Sequence, residues 1–444
     1  MTKSKNSVEG CTEIQSLGPA RIPNPVSFSK FVADGAKAEI PYSERAEDSL
    51  DETKRLKFEL AGPREHVYFD TSKTKLAVVT CGGLCPGIND VIRAIVMEAY
   101  HSYKIVSAVG IRFGLEGFIP KYGHPIWEMY PDNVGDIHLF GGTVLGSSRG
   151  PQPSDEIVDA LERMNINALF MIGGDGTLKA ANRIHQEITK RKLKISVIGI
   201  PKTIDNDISF VFQSFGFDTA VEKATEAIQC AHTEATGAYN GIGMVKLMGR
   251  ESGFIAAQAT LALKEVNFVL VPESPVELDG PDGLLLALEK RLAKRKHAVI
   301  VVAEGAGQGL CDASGKKDAS GNPVLGDICD ILRTRIKEHF AARGIPHTLK
   351  FIDPSYIIRS VPANANDRIY CGFLGQHAVH AAMAGRTGLA ISKMRGHYVH
   401  LPFSLVTGER RRIDLQSDYW RAVMGSTGQL TYRRKPEQDG SDAC

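Results

Sequence analysis

One pattern recurs along this chain and restricts its fold more than any other. A short, almost wholly apolar run is followed by a glycine-bearing turn and then by apolar residues at helical spacing. Leu76-Ala77-Val78-Val79 leads into Cys81-Gly82-Gly83-Leu84-Cys85-Pro86-Gly87, with Val91, Ile92, Ile95 and Ala99 beyond. Ala168 to Ile172 leads into Gly173-Gly174-Asp175-Gly176-Thr177, then Leu178, Ala181, Ile184 and Ile188. Ile195 to Ile200 leads into Pro201-Lys202-Thr203-Ile204-Asp205-Asn206-Asp207. The next helical stretch carries Ala220, Val221, Ala224, Ala227, Ile228 and Ala231, with Thr219 and Glu222 as its expected capping box. Phe268 to Val271 precedes Pro272-Glu273, and Val299 to Val302 precedes Glu304-Gly305. Strands apolar on both faces, alternating with helices, belong to a parallel sheet covered on both sides. The fold class is therefore α/β and doubly wound. In such sheets ligands bind at the carboxyl ends of the strands, where the chemistry-bearing turns of this chain lie.

Composition supports an ordinary globular protein. Of 444 residues, 43% are hydrophobic and 23% charged, which excludes disordered, collagen-like and disulfide-scaffold chains. The length predicts two or three domains. Lys+Arg 53 against Asp+Glu 51 leaves a net +2, without the basic excess of a nucleic-acid or anionic-membrane binder. Glycine numbers 44, above the usual ~7%, and the excess falls largely at the strand-to-helix turns. The eight cysteines include no C-x-x-C pair; Cys81 and Cys85 read as small packed thiols rather than metal ligands. No apolar stretch of signal-peptide length follows Met1, and the apolar runs are far short of the ~20 residues of a membrane span. A cytoplasmic protein is expected. Residues 1–72 form an N-terminal extension with Pro19, Pro23, Pro25, Pro41 and Pro63 and a charge-dense stretch, Ser43 to Lys57, expected to hold one short helix. It reads either as a loosely ordered terminus or as a strap across a neighbouring subunit. The clusters Arg410 to Arg412 and Arg433 to Lys435 read as solvated charge or a frayed end.

The turns carry a consistent chemistry. Glycine lets backbone approach a phosphate, whose charge is stabilised by free amides and the helix dipole. Asp175, an acid among such amides, would repel a phosphate unless a cation such as Mg²⁺ lay between them. Asp205 and Asp207, two residues apart past a strand, allow one carboxylate to accept a hydroxyl proton while the other stays near the metal. Met248-Gly249-Arg250 sets an arginine between glycines, a residue that binds phosphate bidentately. Glu273 can accept hydrogen bonds from sugar hydroxyls. Lys350, Tyr356 and Arg359 add two cations and a phenol.

Gly82-Gly83, Pro86-Gly87-Ile88-Asn89, Gly173 to Thr177, Pro201 to Asp207, Met248-Gly249-Arg250, Pro272-Glu273 and Tyr356 to Arg359, in this order, resemble the A-type 6-phosphofructokinases. The resemblance covers about residues 73–420. It implies transfer of a phosphoryl group to the 1-hydroxyl of fructose 6-phosphate, in glycolysis, with ATP as donor and Mg²⁺ as cofactor. It assigns Asp205 as general base, Thr203 as the group orienting the transferred phosphate, Asp207 as support for the metal and for Asp205, and Asp175 as metal ligand. Gly83, Arg149, Gly150 and Gly174 to Thr177 would bind the nucleotide. Met248, Gly249, Glu273 and Tyr356 would contact the sugar, together with the Thr203-Ile204-Asp205 segment. Arg250 would bridge sugar phosphate and transition state. Arg359, with Lys350 from a neighbouring subunit, would bind the 6-phosphate. A shared site of that kind implies an allosteric homo-oligomer, dimer or tetramer.

Two departures from the common bacterial pattern refine this. Lys202 stands where many ATP enzymes have glycine and is typical of pyrophosphate-using relatives. Gly176 stands where many of those relatives have aspartate, whose carboxylate would crowd and repel the α-phosphate of a nucleotide. The chain resembles an ATP-using member of the pyrophosphate-type branch. The other departure, Gly241, replaces an interface arginine. A pyrophosphate-dependent phosphofructokinase, another kinase sharing the Gly-Gly-Asp-Gly turn, and a non-catalytic regulatory subunit are the competing readings. The last would be expected to lack one of Asp175, Asp205, Asp207 or Arg250. Two Rossmann-like lobes are expected: a donor lobe of 73–216 plus about 363–390, and a sugar-phosphate lobe of 217–362 plus about 391–420, followed by a tail, 421–444.

Overall fold

The computed structural model describes residues 12–26, 30–41, 55–311, 315 and 323–429. Two compact units emerge. Among the described residues, the first runs to Ala220 and includes Tyr356–Arg411; the second takes Val221–Gly315, Leu325–Ser355 and the chain from Arg412.

The N-terminal extension supplies β1 (Gln15–Ser16), β2 (Ile22–Pro23), β3 (Lys37–Pro41), β4 (Arg55–Glu59) and β5 (His66–Val67). β2 pairs with β5 and β3 with β4, both antiparallel. Ile40, Leu56 and Phe58 are buried in the core of the first unit, so the described part of the extension is not loose. The expected short helix falls mostly outside the described residues, and Arg55–Lys57 belong to β4.

The first unit is built on β6 (Lys75–Thr80), β7 (Ser107–Ile111), β8 (Trp127–Met129), β9 (Ala168–Gly173) and β10 (Ser196–Pro201). The second unit contains β11 (Gly241–Leu247), β12 (Phe268–Leu270), β13 (His297–Ala303) and β14 (Thr348–Ile352). The chain then returns to the first unit with β15 (Arg386–Thr387), β16 (Leu389–Met394) and β17 (His397–Pro402). The first sheet has the order β17-β16-β10-β9-β6-β7-β8, and the second β12-β13-β11-β14. The second sheet is parallel throughout. The first is parallel except for its edges, where β17 and β8 run antiparallel to β16 and β7. β1 pairs with β15.

The expected lobe boundary near 391 is corrected by this topology. β16 pairs with β10 at Ile198↔Leu389 and Gly199↔Ala390, and β17 follows by a hairpin, so residues 391–411 belong to the first unit. Tyr356 and Arg359 belong there as well.

Helices cover the sheets as their apolar spacing requires. Helix Asp175–Lys190 buries Leu178, Ala181, Ile184 and Ile188. Helix Ala365–Met383 lies close along Ile88–Tyr103: a Cβ on Gly375 would stand 2.6 Å from the Ala94 methyl. The expected capping box at Thr219 is also corrected. The helix begins at Phe217, and the Thr219 hydroxyl and amide donate to the Asp367 carboxylate at 2.6 and 2.8 Å.

A buried polar cluster ties the extension to the sheet. Glu59 accepts from Arg64 (3.2 Å) and Arg386 (2.9 Å) and lies 3.2 Å from His400 Nδ1. Nearby, the Tyr103 hydroxyl lies 2.8 Å from His380 Nδ1. Six cysteines of the described residues are free thiols. Burial pushes the Cys81 thiol up to about 12 and Cys85 higher, as for packed, unreactive side chains. No helix among the described residues is long and apolar enough to cross a membrane.

Candidate active site

In the first sheet β6, β9 and β10 are neighbours, and the order of strands along the chain reverses between β6 and β9. Their carboxyl ends carry the three polar turns, at the position where a doubly wound sheet binds ligands.

After β6, Gly82 adopts φ +83°, a left-handed conformation that glycine takes without strain. Its carbonyl accepts from the Ser147 hydroxyl at 2.6 Å. Three cations converge on this turn. Lys202 Nζ donates to the Gly83 carbonyl at 2.5 Å, and a Cβ on Gly83 would lie 3.5 Å from Arg359 Nη1 and 3.9 Å from Arg149 Nη2. Such a cluster on a glycine turn suits an anion. Gly150 follows Arg149 with φ +99°. Lys202 is buried, and burial lowers the pKa of its ammonium.

After β9, helix Asp175–Lys190 starts at Gly174 with no side-chain cap, leaving its first amides open to an external acceptor. Glycine at 173 is required by contact: a Cβ there would lie 2.2 Å from Thr177 Oγ1. Thr177 itself is buried. At Gly176 a Cβ would meet nothing within 4 Å. The space that the sequence argument leaves for a nucleotide is thus open within this unit. Asp175 pairs with Lys179 at 2.9 Å.

After β10, the Asp205–Asp207 turn is braced from several sides. The Thr203 hydroxyl donates to Asp207 Oδ1 at 3.0 Å and accepts the Asp205 amide at 3.1 Å. Asn206 takes φ +56°, and its side-chain oxygen accepts the Ser214 amide at 2.9 Å. The two carboxylates differ in environment. Asp207 is buried, and burial raises its pKa, opposed by Arg410 and the Thr203 hydrogen bond. Asp205 is partly exposed. Ile204 is buried, at 6% exposure.

The sequence misses Arg410 and Arg411 as parts of this turn. Arg410 Nη1 donates to Asp207 Oδ2 at 3.1 Å, and Arg411 donates to the carbonyls of Asn206 and Phe212. The reading of Arg410 to Arg412 as solvated charge is corrected for two of the three; Arg412 keeps 61% of its side chain exposed. No signal in the local sequence distinguishes them, because their partners lie some two hundred residues away. Arg433 to Lys435 lie outside the described residues.

In the second unit the turns after β11 and β13 interlock. The Gly305 amide donates to the Gly249 carbonyl at 3.0 Å, and the Glu304 amide to Leu247 at 2.9 Å. This locks Met248-Gly249-Arg250 at the carboxyl end of β11. Glu273 accepts the Gly253 amide at 3.1 Å and the Ile413 amide at 2.9 Å; burial raises its pKa against these bonds. Lys350 stands mid-strand on β14, in register with Gly243, four residues short of the strand end that leads to Arg250. Its Nζ is half-exposed and 3.9 Å from Glu234. At Gly241 a Cβ would lie 2.1 Å from the Ala235 carbonyl, so no arginine fits there. Tyr356 is 74% exposed in the first unit, with the Arg359 guanidinium 4.9 Å from its ring centre.

Fold and site define an α/β protein whose strand-end turns are arranged for anionic, phosphorylated ligands. The phosphofructokinase family model matches residues 75–382, and the chain belongs to that family. It is 49% identical to the ATP-dependent 6-phosphofructokinase of Borreliella burgdorferi, over 94% of this chain and 96% of that one. Its identity to the protein of the same name from Amycolatopsis methanolica is 48%, over 90% and 89%, and to that from Trypanosoma brucei brucei 45%, over 88% and 80%. Among solved structures, the pyrophosphate-dependent phosphofructokinase of Marinobacter aquaeolei shares the fold, with TM-score 0.65 at 19% identity, over 82% of this chain and 94% of that one.

Proposed function

We propose that the protein transfers the γ-phosphoryl group of ATP to the 1-hydroxyl of fructose 6-phosphate, giving fructose 1,6-bisphosphate and ADP, as a step of glycolysis. The observation that carries the reading is near-full-length identity of 49% to a relative bearing the name ATP-dependent 6-phosphofructokinase. The clearance at Gly176 supports ATP over pyrophosphate. Lys202, the residue that favours pyrophosphate, is bound to the Gly83 carbonyl.

Each residue then has a role. Asp205 accepts the proton of the 1-hydroxyl as that oxygen attacks the γ-phosphorus in line; its partial exposure leaves it accessible to substrate. Asp207, buried and paired, keeps the turn in place. The turn Gly174 to Thr177, with Gly83, Arg149 and Gly150, holds the nucleotide phosphates. Thr203 orients the transferred group, and Arg250 balances the charge that builds on it. Met248, Gly249, Glu273 and Tyr356 contact the sugar, while Arg359, with Lys350 contributed by a neighbouring subunit, binds the 6-phosphate. Asp175 and Asp207 are suited to a divalent cation, because both carboxylates already face one cationic group, the Arg410 guanidinium. Mg²⁺ held there would neutralise donor phosphates, and ions of this kind need few protein ligands. A cytoplasmic, allosteric homo-oligomer, dimer or tetramer, completes the proposal.

The test is a coupled assay of fructose 1,6-bisphosphate formation with Mg-ATP and with pyrophosphate. Turnover with ATP supports the reading. Turnover with pyrophosphate alone transfers the donor site to Lys202 and overturns it.

A further inference from the structure

The segment Glu409–Arg411 is fastened to the turn that carries Asp205. The Arg411 amide donates to the Asp207 carbonyl at 2.9 Å. Its guanidinium reaches the carbonyls of Asn206 (3.1 Å) and Phe212 (3.0 Å), and the Ser209 hydroxyl donates to the Glu409 carbonyl. These bonds aim Arg410. Its Nη1 lies 3.1 Å from Asp207 Oδ2, and its Nη2 lies 3.9 Å from Asp175 Oδ2. Asp175 opens the helix after β9, whereas Asp207 closes the turn after β10. One guanidinium therefore spans carboxylates from two separate elements. Thr203 on Asp207 and Lys179 on Asp175 complete the arrangement.

We propose that Arg410 is a positioning residue that holds the Asp175–Asp207 pair in the metal-free protein and yields to a divalent cation on loading. The cation affinity of the site is then set by exchange of guanidinium for metal. This rests on the functional reading in one respect, that Asp175 is a metal carboxylate. Two carboxylates sharing a site repel unless a positive charge lies between them. A planar guanidinium fork can serve both at once, which a lysine point charge cannot. A divalent cation seeks the same oxygens at shorter range, and the two cations repel each other. Arg410 therefore keeps the carboxylates in place for the metal and opposes its entry.

The experiment is Mn²⁺ binding to the full-length protein without nucleotide or sugar, followed by the paramagnetic resonance signal of free Mn²⁺. Arg410→Gln should bind Mn²⁺ about three- to fivefold more tightly than wild type, the scale of a partly exposed ion pair. Arg410→Lys should fall between. Adding Asp175→Asn to Arg410→Gln should abolish the gain. The melting temperature of metal-free Arg410→Gln should drop, and Mn²⁺ should restore more of it than the same Mn²⁺ adds to wild type. Unchanged or weaker Mn²⁺ binding by Arg410→Gln overturns the proposal, even with a lowered melting temperature, because that is the signature of a purely structural contact. If Arg410→Gln does not fold, Arg410→Lys decides in the same direction. The binding measurement contains no substrate. Failure of the wild-type protein to use ATP would overturn the functional reading separately.

Discussion

Lys202 Nζ sits 2.5 Å from the Gly83 carbonyl oxygen, joining the turn after β10 to the turn after β6. The lysine is 5% exposed, so its charge serves the backbone of a glycine turn as much as any ligand. Replacing it with Met removes a charged donor from a partly buried carbonyl. The expected loss of folding stability is about 1–3 kcal/mol. Urea unfolding would register this as a lower midpoint, and an unchanged midpoint would mean that the contact contributes nothing.

Asp205→Ser removes the proposed base while leaving the Thr203–Asp207 hydrogen bond in place. The turnover number should fall by about 10²–10⁴, with the melting temperature nearly unchanged. Turnover close to wild type would exclude Asp205 from proton transfer.

Gly176→Asp introduces a side chain into space that is open within the first unit, so the protein should fold. The new carboxylate should abolish ATP use by repelling nucleotide phosphate, while fructose 6-phosphate binding remains measurable by calorimetry. Retained ATP turnover would contradict the steric and electrostatic role given to position 176.

Gly173→Ala should fail for a different reason. Its Cβ would press on Thr177 at 2.2 Å from Oγ1, and overpacking of this kind costs about 1–3 kcal/mol. The variant should show a lowered unfolding midpoint, and an unperturbed one would mean that the β9 turn relaxes freely.

Acid should destabilise the first unit through the cluster beneath the N-terminal extension. Burial lowers His377 to about 4 and His380 to about 3, against about 6.5 when unfolded. The unfolded chain therefore binds more protons below pH 6.5, and stability falls as pH drops from about 6.5 towards 4 and 3. Burial alone would raise Glu59, but hydrogen bonding and charge from His400 and Arg386 bring it down to about 2. Its contribution is present above about pH 4.5 and is lost as pH falls towards 2. Denaturation midpoints from pH 7.5 to 3 test both parts. Glu59→Gln should make the fall below about 4.5 shallower, leaving there only the histidine part that runs on towards 3, and should leave the fall between 6.5 and 4.5.

The strand-end turns are legible in the sequence because their cause is local. Apolar runs such as Ala168–Ile172 need burial on both faces, and glycine at Gly82 or Gly173 answers a requirement of its own backbone. The same locality misleads at Thr219, whose hydroxyl serves Asp367 rather than a capping box. It misleads again at residues 391–411, where nothing in Leu389–Met394 says that its parallel partner is β10 rather than a strand of the second unit.

The residue types at the turns, the α/β class and the family resemblance follow from the order of amino acids, since hydrophobic period, backbone freedom and side-chain chemistry are carried by short stretches of chain. The different surroundings of Asp205 and Asp207 do not. They come from burying one carboxylate and leaving the other partly open, and from bringing Arg410 across some two hundred residues to the buried one. Electrostatic environment is a property of what surrounds a group in space, so the charge run at Arg410 to Arg412 acquires its meaning when the chain folds back upon the turn it braces.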